Sequence, residues 1–241
     1  MPNIAHSWHS NAWDITEQDI AKLGHNNIKM FMAGPPCQDF SKLRLLVKRS
    51  ARKSLNDIRP GLDGPNGKLF TQTIQIMSWV LKYNPDCEFL IECVDFSDMQ
   101  DQWTQICSAL GSPLMVNAQT YSYTKRNRAY WTNFANISLM PPANPKKKPD
   151  DCMLNGRTLI QYQACGRNNI RPIGASWERG KSTSGRPVLV RDPNHKDAQH
   201  LMPNEAEALM GMRVGCTAGS NTTDTERLRA IGNGWDLNVI R

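Results

Sequence analysis

A stiff turn that carries one cysteine follows directly after the first apolar stretch of the chain. Residues 28–33 form this apolar run, and Gly34, Pro35, Pro36 and Cys37 come next. Two consecutive prolines fix φ at both positions and force the preceding residue out of the helical region, so Cys37 leaves the run in a defined direction. A lone cysteine beside proline is more often a structural residue, but a cysteine held in this way also suits covalent catalysis. The pattern predicts a strand over 28–33 and makes Cys37 a candidate nucleophile.

Other apolar patterns predict an α/β fold. The run 88–94 predicts a buried strand, and the spacing over 69–83 and 101–110 predicts two helices. Aromatic residues over 120–134 predict strands around a basic turn. Strands that alternate with helices indicate a parallel sheet.

The last part of the chain has a different composition. Residues 139–199 are rich in Pro, Asn, Gly, Ser and Arg, which predicts a loop-rich insert or a small lobe. Helical patterns return over 204–212 and 224–231. The second of these leads into Gly232, Asn233, Gly234 and Trp235, which we expect to form a tight glycine turn.

The net charge of +7 is concentrated in two segments. Residues 42–59 contain seven Lys or Arg against one acid, and residues 134–200 contain eleven against five. Basic charge confined to two patches is expected of a surface that meets the phosphates of a nucleic acid. A solvated charged surface is the alternative, and charge alone leaves both open.

Composition excludes several other classes. No run approaches the ~18 apolar residues of a membrane span, and the N-terminal residues lack the pattern of a signal peptide. We therefore expect an intracellular protein without a membrane partner. Seven cysteines without a C-x-x-C pair indicate neither a disulfide framework nor a metal site. The basic segment 145–149 could act as a nuclear signal in a eukaryote, or equally contact phosphate.

Three further elements accompany Cys37. Glu92 is expected to terminate the buried strand predicted over 88–94, and the carboxyl ends of parallel strands form the edge of a site, so Glu92 is expected to share this edge with Cys37. Arg126 and Arg128 have a spacing that puts both on one face of an extended segment. Asn233 and Trp235 offer an amide and an aromatic face to a ligand. Each element alone is more often structural.

In this order, the motifs resemble those of the cytosine-C5 DNA methyltransferase family. They are Pro-Pro-Cys-Gln at 35–38, Glu-Cys-Val at 92–94 in place of Glu-Asn-Val, Arg-Asn-Arg at 126–128 and Gly-Asn at 232–233. Similarity to the eukaryotic de novo branch of this family lies in Gly-Lys-Leu-Phe at 67–70, Tyr-Trp-Thr-Asn at 130–133 and Trp235. The resemblance covers nearly the whole chain.

The resemblance implies a Rossmann-like, doubly wound α/β methyltransferase fold. Residues 1–138 and 201–241 would form the catalytic domain, and 139–200 a small loop-rich target-recognition region. Cys37 would add to C6 of a flipped cytosine, while Glu92, Arg126 and Arg128 would bind or orient the base. The methyl donor would be S-adenosylmethionine. Its candidate contacts are Asp14, Pro35, Asn233 and Trp235.

DNA is the partner that the resemblance implies. The loop from Lys42 to Arg59 would close over it, and the insert would contact phosphate or guanine. The candidate DNA-binding residues are Lys42, Arg44, Arg52, Lys53, Arg167, Arg171, Arg179, Lys181 and Arg186.

The family's glycine-rich cofactor turn and its ribose-binding acidic residue have no counterpart in residues 1–27. We therefore expect a sheet truncated at its N-terminal side. Either upstream sequence or another chain, identical or different, completes it, or cofactor binding is lost. Two alternatives to a DNA methyltransferase stay open. One is a noncatalytic DNA-binding or scaffold relative, and the other is a tRNA cytosine-C5 methyltransferase. The insert and the similarities around Gly67 and Trp131 favour DNA.

Overall fold

The computed structural model describes residues 9, 11–42, 59–135, 148–160 and 188–240. Within these ranges the chain alternates between short strands and helices, as the apolar patterns predict. The strands are β1 (Met30–Ala33), β2 (Glu88–Val94), β3 (Leu114–Asn117), β4 (Asn127–Thr132), β5 (Thr158–Leu159), β6 (Leu189–Arg191) and β7 (Gln199–His200). The helices are α1 (Glu17–Lys22), α2 (Gly67–Tyr83), α3 (Gln100–Leu110), α4 (Pro203–Leu209) and α5 (Asp224–Asn233).

The larger sheet has the strand order β1-β2-β4-β3. Strands β1 and β2 are parallel, with Met30 opposite Glu88 and Ala33 opposite Ile91. A second sheet has the order β5-β6-β7, and its pairs are antiparallel. The expected α/β fold with parallel strands is therefore confirmed.

Helix α2 connects the two parallel strands, and its sequence sets its buried face and its end. Its buried side chains, among them Phe70, Met77 and Val80, recur at the spacing of one helical face. Beyond the helix, Asn84 donates through Nδ2 to the carbonyl of Val80 at 3.1 Å. The same side chain accepts from the backbone N–H of Ile28 at 2.9 Å, which ties the end of α2 to the segment before β1.

Several predicted boundaries differ from the structure. The range 120–134 contains one strand, β4, because residues 118–120 form a 3-10 turn and the neighbouring strand β3 lies earlier, over 114–117. Helix α5 continues through Asn233 and Gly234 is extended, at φ −73° and ψ 171°, so the expected tight glycine turn is wrong. The Thr223 capping box starts this helix, and no left-handed residue is needed to end it.

The chain divides into two compact units. One comprises residues 9, 11–42, 59–114 and 129–135, and the other residues 115–128, 148–160 and 188–240. The core of the first unit is rich in aromatic residues and includes Phe40, Phe70, Phe96 and Trp131. The core of the second joins the small sheet to α4 and α5; its members include Leu159, Val190, Leu209 and Ile231.

The boundary between the units does not follow the predicted division at 138/139 and 200/201. Residues 201–233 share a core with the small sheet because Leu201, Ala206 and Leu228 pack with Val188 and Val190. The functional division into catalytic and target-recognition parts stays a prediction. None of the helices in the described ranges has the length and apolar character needed to cross a membrane.

Candidate active site

Cys37 and Glu92 lie at the same edge of the larger sheet. The register of the parallel pair ends at Ala33 opposite Ile91, so Glu92 is the first residue of β2 beyond the end of β1. At this point β1 leads into the turn that carries Cys37. The half-buried Cys37 side chain packs against the core cluster that contains Ile91 and Cys93, the neighbours of Glu92 on β2. The parallel sheet therefore brings the predicted nucleophile and the predicted carboxylate to one edge, as expected.

The Cys37 turn has a defined backbone conformation. The carbonyl of Cys37 accepts from the backbone N–H of Phe40 at 3.1 Å and of Ser41 at 3.0 Å. Phe40 is fully buried, and its ring centroid lies 4.6 Å from that of Phe96. Pro35, before the cysteine, is also buried. Both sides of the turn are thus held by packing, while Cys37 itself keeps part of its surface accessible.

A buried carboxylate connects this turn to the beginning of α2. Asp39 is 1% exposed and accepts through Oδ2 from the backbone N–H of Asn66 at 2.8 Å and of Gly67 at 3.2 Å. These are donors that a helix N-terminus leaves without intrahelical partners. A Cβ on Gly64 would clash with Asp39 Oδ2, so glycine is needed for this close approach.

Glu92 lies between apolar neighbours on its strand. It is 6% exposed, and the adjacent Ile91 and Cys93 are fully buried. The strand continues through Val94, so Glu92 lies near the end of β2 and does not terminate it. Burial of a carboxylate costs about 2 kcal/mol or more unless a charge or a hydrogen-bond partner compensates for the lost hydration. A carboxylate is therefore an unusual choice for core packing at this position.

Arg126 is a buried residue whose guanidinium binds two backbone carbonyls of the second unit. It is 4% exposed, and its Nη2 and Nη1 donate to the carbonyls of Gly234 at 2.7 Å and Gly232 at 3.3 Å. Arg128 is half-buried and its Nη1 donates to the carbonyl of Asn127 at 2.8 Å. The two arginines thus have different environments, although the spacing i, i+2 suggested equivalent positions.

Asn233 and Trp235 flank Gly234, one of the two glycines whose carbonyls Arg126 binds. Asn233 is exposed at the end of α5, and Trp235 is half-buried. The guanidinium of Arg126 accordingly fixes the backbone on which both candidate cofactor contacts lie. The sequence patterns indicate all three residues but not this connection between them.

The four predicted cofactor contacts differ in how well they fit S-adenosylmethionine. Asp14 ends an exposed 3-10 turn that Asn11 caps, so its carboxylate can accept a hydrogen bond from an amine such as that of adenine. The exposed amide of Asn233 and the half-buried ring of Trp235 suit a polar group and an aromatic face. Pro35 is buried and supports the Cys37 turn, so it offers little surface to a ligand.

Only one of the predicted DNA-binding residues falls in the described part of the chain. Lys42 is 52% exposed at its side chain, and its Nζ lies 3.5 Å from Asp98 Oδ1. The others lie outside the described residues: Arg44, Arg52, Lys53, Arg167, Arg171, Arg179, Lys181 and Arg186. Arg59, which contributes to the charge of the basic segment 42–59, is 7% exposed and therefore adds little to a phosphate-binding surface.

Comparisons with known proteins agree with this geometry. Residues 3–112 match the family model for C-5 cytosine-specific DNA methylases. The structure is similar to the Entamoeba histolytica methyltransferase EhMeth, with a TM-score of 0.66 and 14% identity over 96% of this chain and 79% of that one. It is also similar to S. pombe Dnmt2, with a TM-score of 0.64 and 14% identity over 97% of this chain and 81% of that one.

A third similar structure is described as a putative DNA modification methyltransferase encoded within a prophage of E. coli. Its TM-score is 0.56 and its identity 16%, over 95% of this chain and 82% of that one. At these identities the likeness shows a common Rossmann-like methyltransferase fold. Together with the match of residues 3–112, it supports a place for the chain in the cytosine-C5 methyltransferase family.

Proposed function

We propose that this protein methylates C5 of cytosine in DNA, with Cys37 as the nucleophile and Glu92 as the carboxyl group that holds the base. The observation that carries this proposal is the shared edge of β1 and β2. There a half-accessible thiol and a buried carboxyl group follow the last paired residues, Ala33 and Ile91. A thiol and a carboxyl at one sheet edge provide covalent attack and base recognition together.

The thiolate of Cys37 has a specific chemical task. C5 of cytosine is a poor nucleophile, so Sγ adds to C6 and the electron pair of the C5–C6 double bond becomes available at C5. S-adenosylmethionine, when bound, supplies the methyl group that C5 receives. Loss of the C5 proton and cleavage of the Sγ–C6 bond then regenerate Cys37. The hydrogen bonds and packing of the turn hold the Cys37 backbone in one conformation, which lowers the entropic cost of the attack.

Glu92 recognises the edge of the base that carries N3 and the exocyclic amine. Its burial strengthens these hydrogen bonds because the local dielectric constant is low, and the carboxyl group stabilises charge that develops on the ring during addition. We assign Arg128 and Arg126 to orientation of the base and of Glu92. Asp14, Asn233 and Trp235 are the residues that would hold the cofactor.

DNA is the proposed substrate class. The target carbon is inaccessible in a duplex, so the cytosine must be extruded at a cost of roughly a few kcal/mol, which phosphate contacts can offset. The basic segment around Lys42 and the insert 139–200 would supply these contacts. The family model is that of DNA methylases, and one similar structure carries the description of a DNA modification enzyme, which supports DNA over tRNA.

Covalent trapping tests the proposal. The protein is incubated with S-adenosylmethionine and either duplex DNA or tRNA that contains 5-fluorocytosine, and adducts are resolved under denaturing conditions. We expect an adduct with DNA that Cys37→Ser abolishes and that Cys216→Ser, which changes an exposed cysteine elsewhere, preserves. An adduct with tRNA alone would assign the protein to RNA modification. Binding of DNA without any adduct would favour the noncatalytic alternative.

A further inference from the structure

Arg59 forms a buried contact with the backbone of the Cys37 turn. Its side chain is 7% exposed, and Nε and Nη2 donate to the carbonyl of Phe40 at 3.0 and 2.7 Å. Nη1 and Nη2 also donate to the carboxylate of Asp98, at 2.6 and 3.1 Å. One planar group therefore joins the turn after β1 to the segment that follows β2.

The position of the Phe40 carbonyl makes this contact relevant to Cys37. The backbone N–H of Phe40 donates to the carbonyl of Cys37, so the peptide groups of the turn form one hydrogen-bonded unit. The backbone N–H of Gly61 donates to the carbonyl of Asp39 at 3.1 Å, and Gly61 lies two residues after Arg59. The segment 59–61 thus binds two consecutive carbonyls of the turn.

Asp98 has the role of an orienting partner. The hydrogen bond from Arg59 lowers the pKa of Asp98 more than burial raises it, and Lys42 adds a smaller lowering effect. The carboxylate is therefore charged at neutral pH and accepts two donors of the fork. An arginine with a bidentate partner is preorganised, because its planar group loses little further freedom when it also binds a carbonyl.

We propose that Arg59, oriented by Asp98, is a positioning residue that keeps the Cys37 thiol in its attacking direction through the Phe40 carbonyl. The effect of Arg59 on catalysis rests on the function proposed above. Its effect on the turn does not: without Arg59 the turn opens locally, and Cys37 leaves its half-buried place against the core.

Two measurements on the full chain test this role, with Arg59→Gln, Arg59→Lys and Asp98→Asn compared with the unchanged protein. The first is the rate of alkylation by iodoacetamide at Cys37, followed by mass spectrometry together with the buried Cys87 and Cys93. The second is the rate of adduct formation with 5-fluorocytosine DNA. Lys82→Gln is the matched control, because Lys82 forms an exposed pair with Glu17 away from the turn.

The two rates are expected to move in opposite directions. Local opening raises alkylation of Cys37 by about fivefold or more in Arg59→Gln, whereas misplacement of the thiol lowers adduct formation by about tenfold or more. Arg59→Lys and Asp98→Asn fall between these values and the unchanged protein, since each keeps part of the contact. Lys82→Gln changes neither rate.

Three results would overturn the positioning role. Unchanged alkylation of Cys37 in Arg59→Gln would show that the turn does not depend on Arg59. A parallel rise at Cys87 and Cys93 would show that Arg59 acts on the stability of the whole unit. A faster alkylation of Cys37 with an unchanged rate of adduct formation would show that Arg59 holds the turn but that this hold does not matter to the chemistry. If the unchanged protein gives no adduct, the proposed function fails, and the alkylation rates still decide whether Arg59 holds the turn.

Discussion

Thr124 Oγ1 donates to Oδ2 of Asp236 at 3.0 Å, and both residues are almost completely buried. The other carboxylate oxygen of Asp236 accepts from the backbone N–H and from Nδ2 of Asn238, each at 3.1 Å. The carboxylate is thus surrounded by donors from two chain segments that are more than a hundred residues apart. Burial of a carboxylate without such donors costs free energy, so these hydrogen bonds account for the position of Asp236 in the interior.

The hydrogen bond between Thr124 and Asp236 is the middle one of three with a regular order. Asn238 Nδ2 donates to Ser122 Oγ at 3.1 Å, and Arg126 Nη2 donates to the carbonyl of Gly234 at 2.7 Å. Alternate residues of 122–126 therefore meet alternate residues of 234–238 in antiparallel order. Side chains, rather than a strand ladder, join the segment of Arg126 to that of Gly234.

Replacement of Thr124 by valine is expected to destabilise the protein by about 1–3 kcal/mol, because Asp236 then keeps a buried acceptor without its donor. Asp236→Ala should cost at least as much. Denaturant unfolding of the two variants and of the double variant gives the coupling energy directly. Thr222→Val, at an exposed position, is the control and should change stability by less than about 0.5 kcal/mol. An equally small effect of Thr124→Val would show that the pair contributes nothing.

Glu92→Gln is expected to lower the rate of adduct formation by about a hundredfold, because an amide, unlike a carboxyl group, cannot transfer a proton to N3 as negative charge develops on the ring. The fold should remain, since glutamine has nearly the same volume. Glu88→Gln is the matched control: Glu88 lies at the exposed beginning of the same strand, and its replacement should leave the rate unchanged. Thermal unfolding of both variants separates a chemical effect from a loss of structure. A normal adduct rate in Glu92→Gln would remove Glu92 from the proposed mechanism.

The sequence predicts the elements that have a strong apolar period. The run 88–94 coincides with β2, and the helix predicted over 69–83 needs an extension of two residues at its beginning. The shared edge of Cys37 and Glu92 follows from parallel pairing alone. Weaker signals failed: β3 lies outside the range expected for strands, and α5 runs into the expected glycine turn.

Residues that act through distant partners gave no local signal. Arg59 counts as one of seven basic residues in its segment, yet its partners Phe40 and Asp98 bury it. Asp39 and Asp236 look like ordinary acidic residues of turns, and only the folded structure shows what they bind. A charge pattern gives the sign and number of groups, whereas their burial depends on which segments the fold brings together.

Arg157 and Glu205 form a buried ion pair in the second unit, with Nη1 and Oε2 3.0 Å apart. Glu205 also accepts from the backbone N–H of Leu154 and of Met202. Removal of the charge by Glu205→Ala should therefore destabilise the protein by about 3–5 kcal/mol, because Nη1 of Arg157 and two backbone N–H groups lose their acceptor. Asp224→Ala breaks a pair with Arg227 in which the carboxylate is 77% exposed, and should cost less than about 1 kcal/mol. An equal loss of unfolding free energy in Glu205→Ala and Asp224→Ala, measured by denaturant unfolding, would contradict a stabilising role of the buried pair.

Tyr123 should make the protein less stable at alkaline pH. Burial, followed by the charge of Cys152 and its hydrogen bond, raises the pKa of this phenol to about 12. A raised pKa means that the folded state holds the proton more tightly, so the resulting stability is complete below about pH 10 and is lost as the pH rises to about 12. Tyr123→Phe should remove part of the difference in unfolding free energy between about pH 9 and pH 11, whereas Tyr121→Phe in the same segment should leave it unchanged. If the two variants and the unchanged protein lose the same stability over this interval, the phenol of Tyr123 ionises as readily in the folded chain as in the unfolded one.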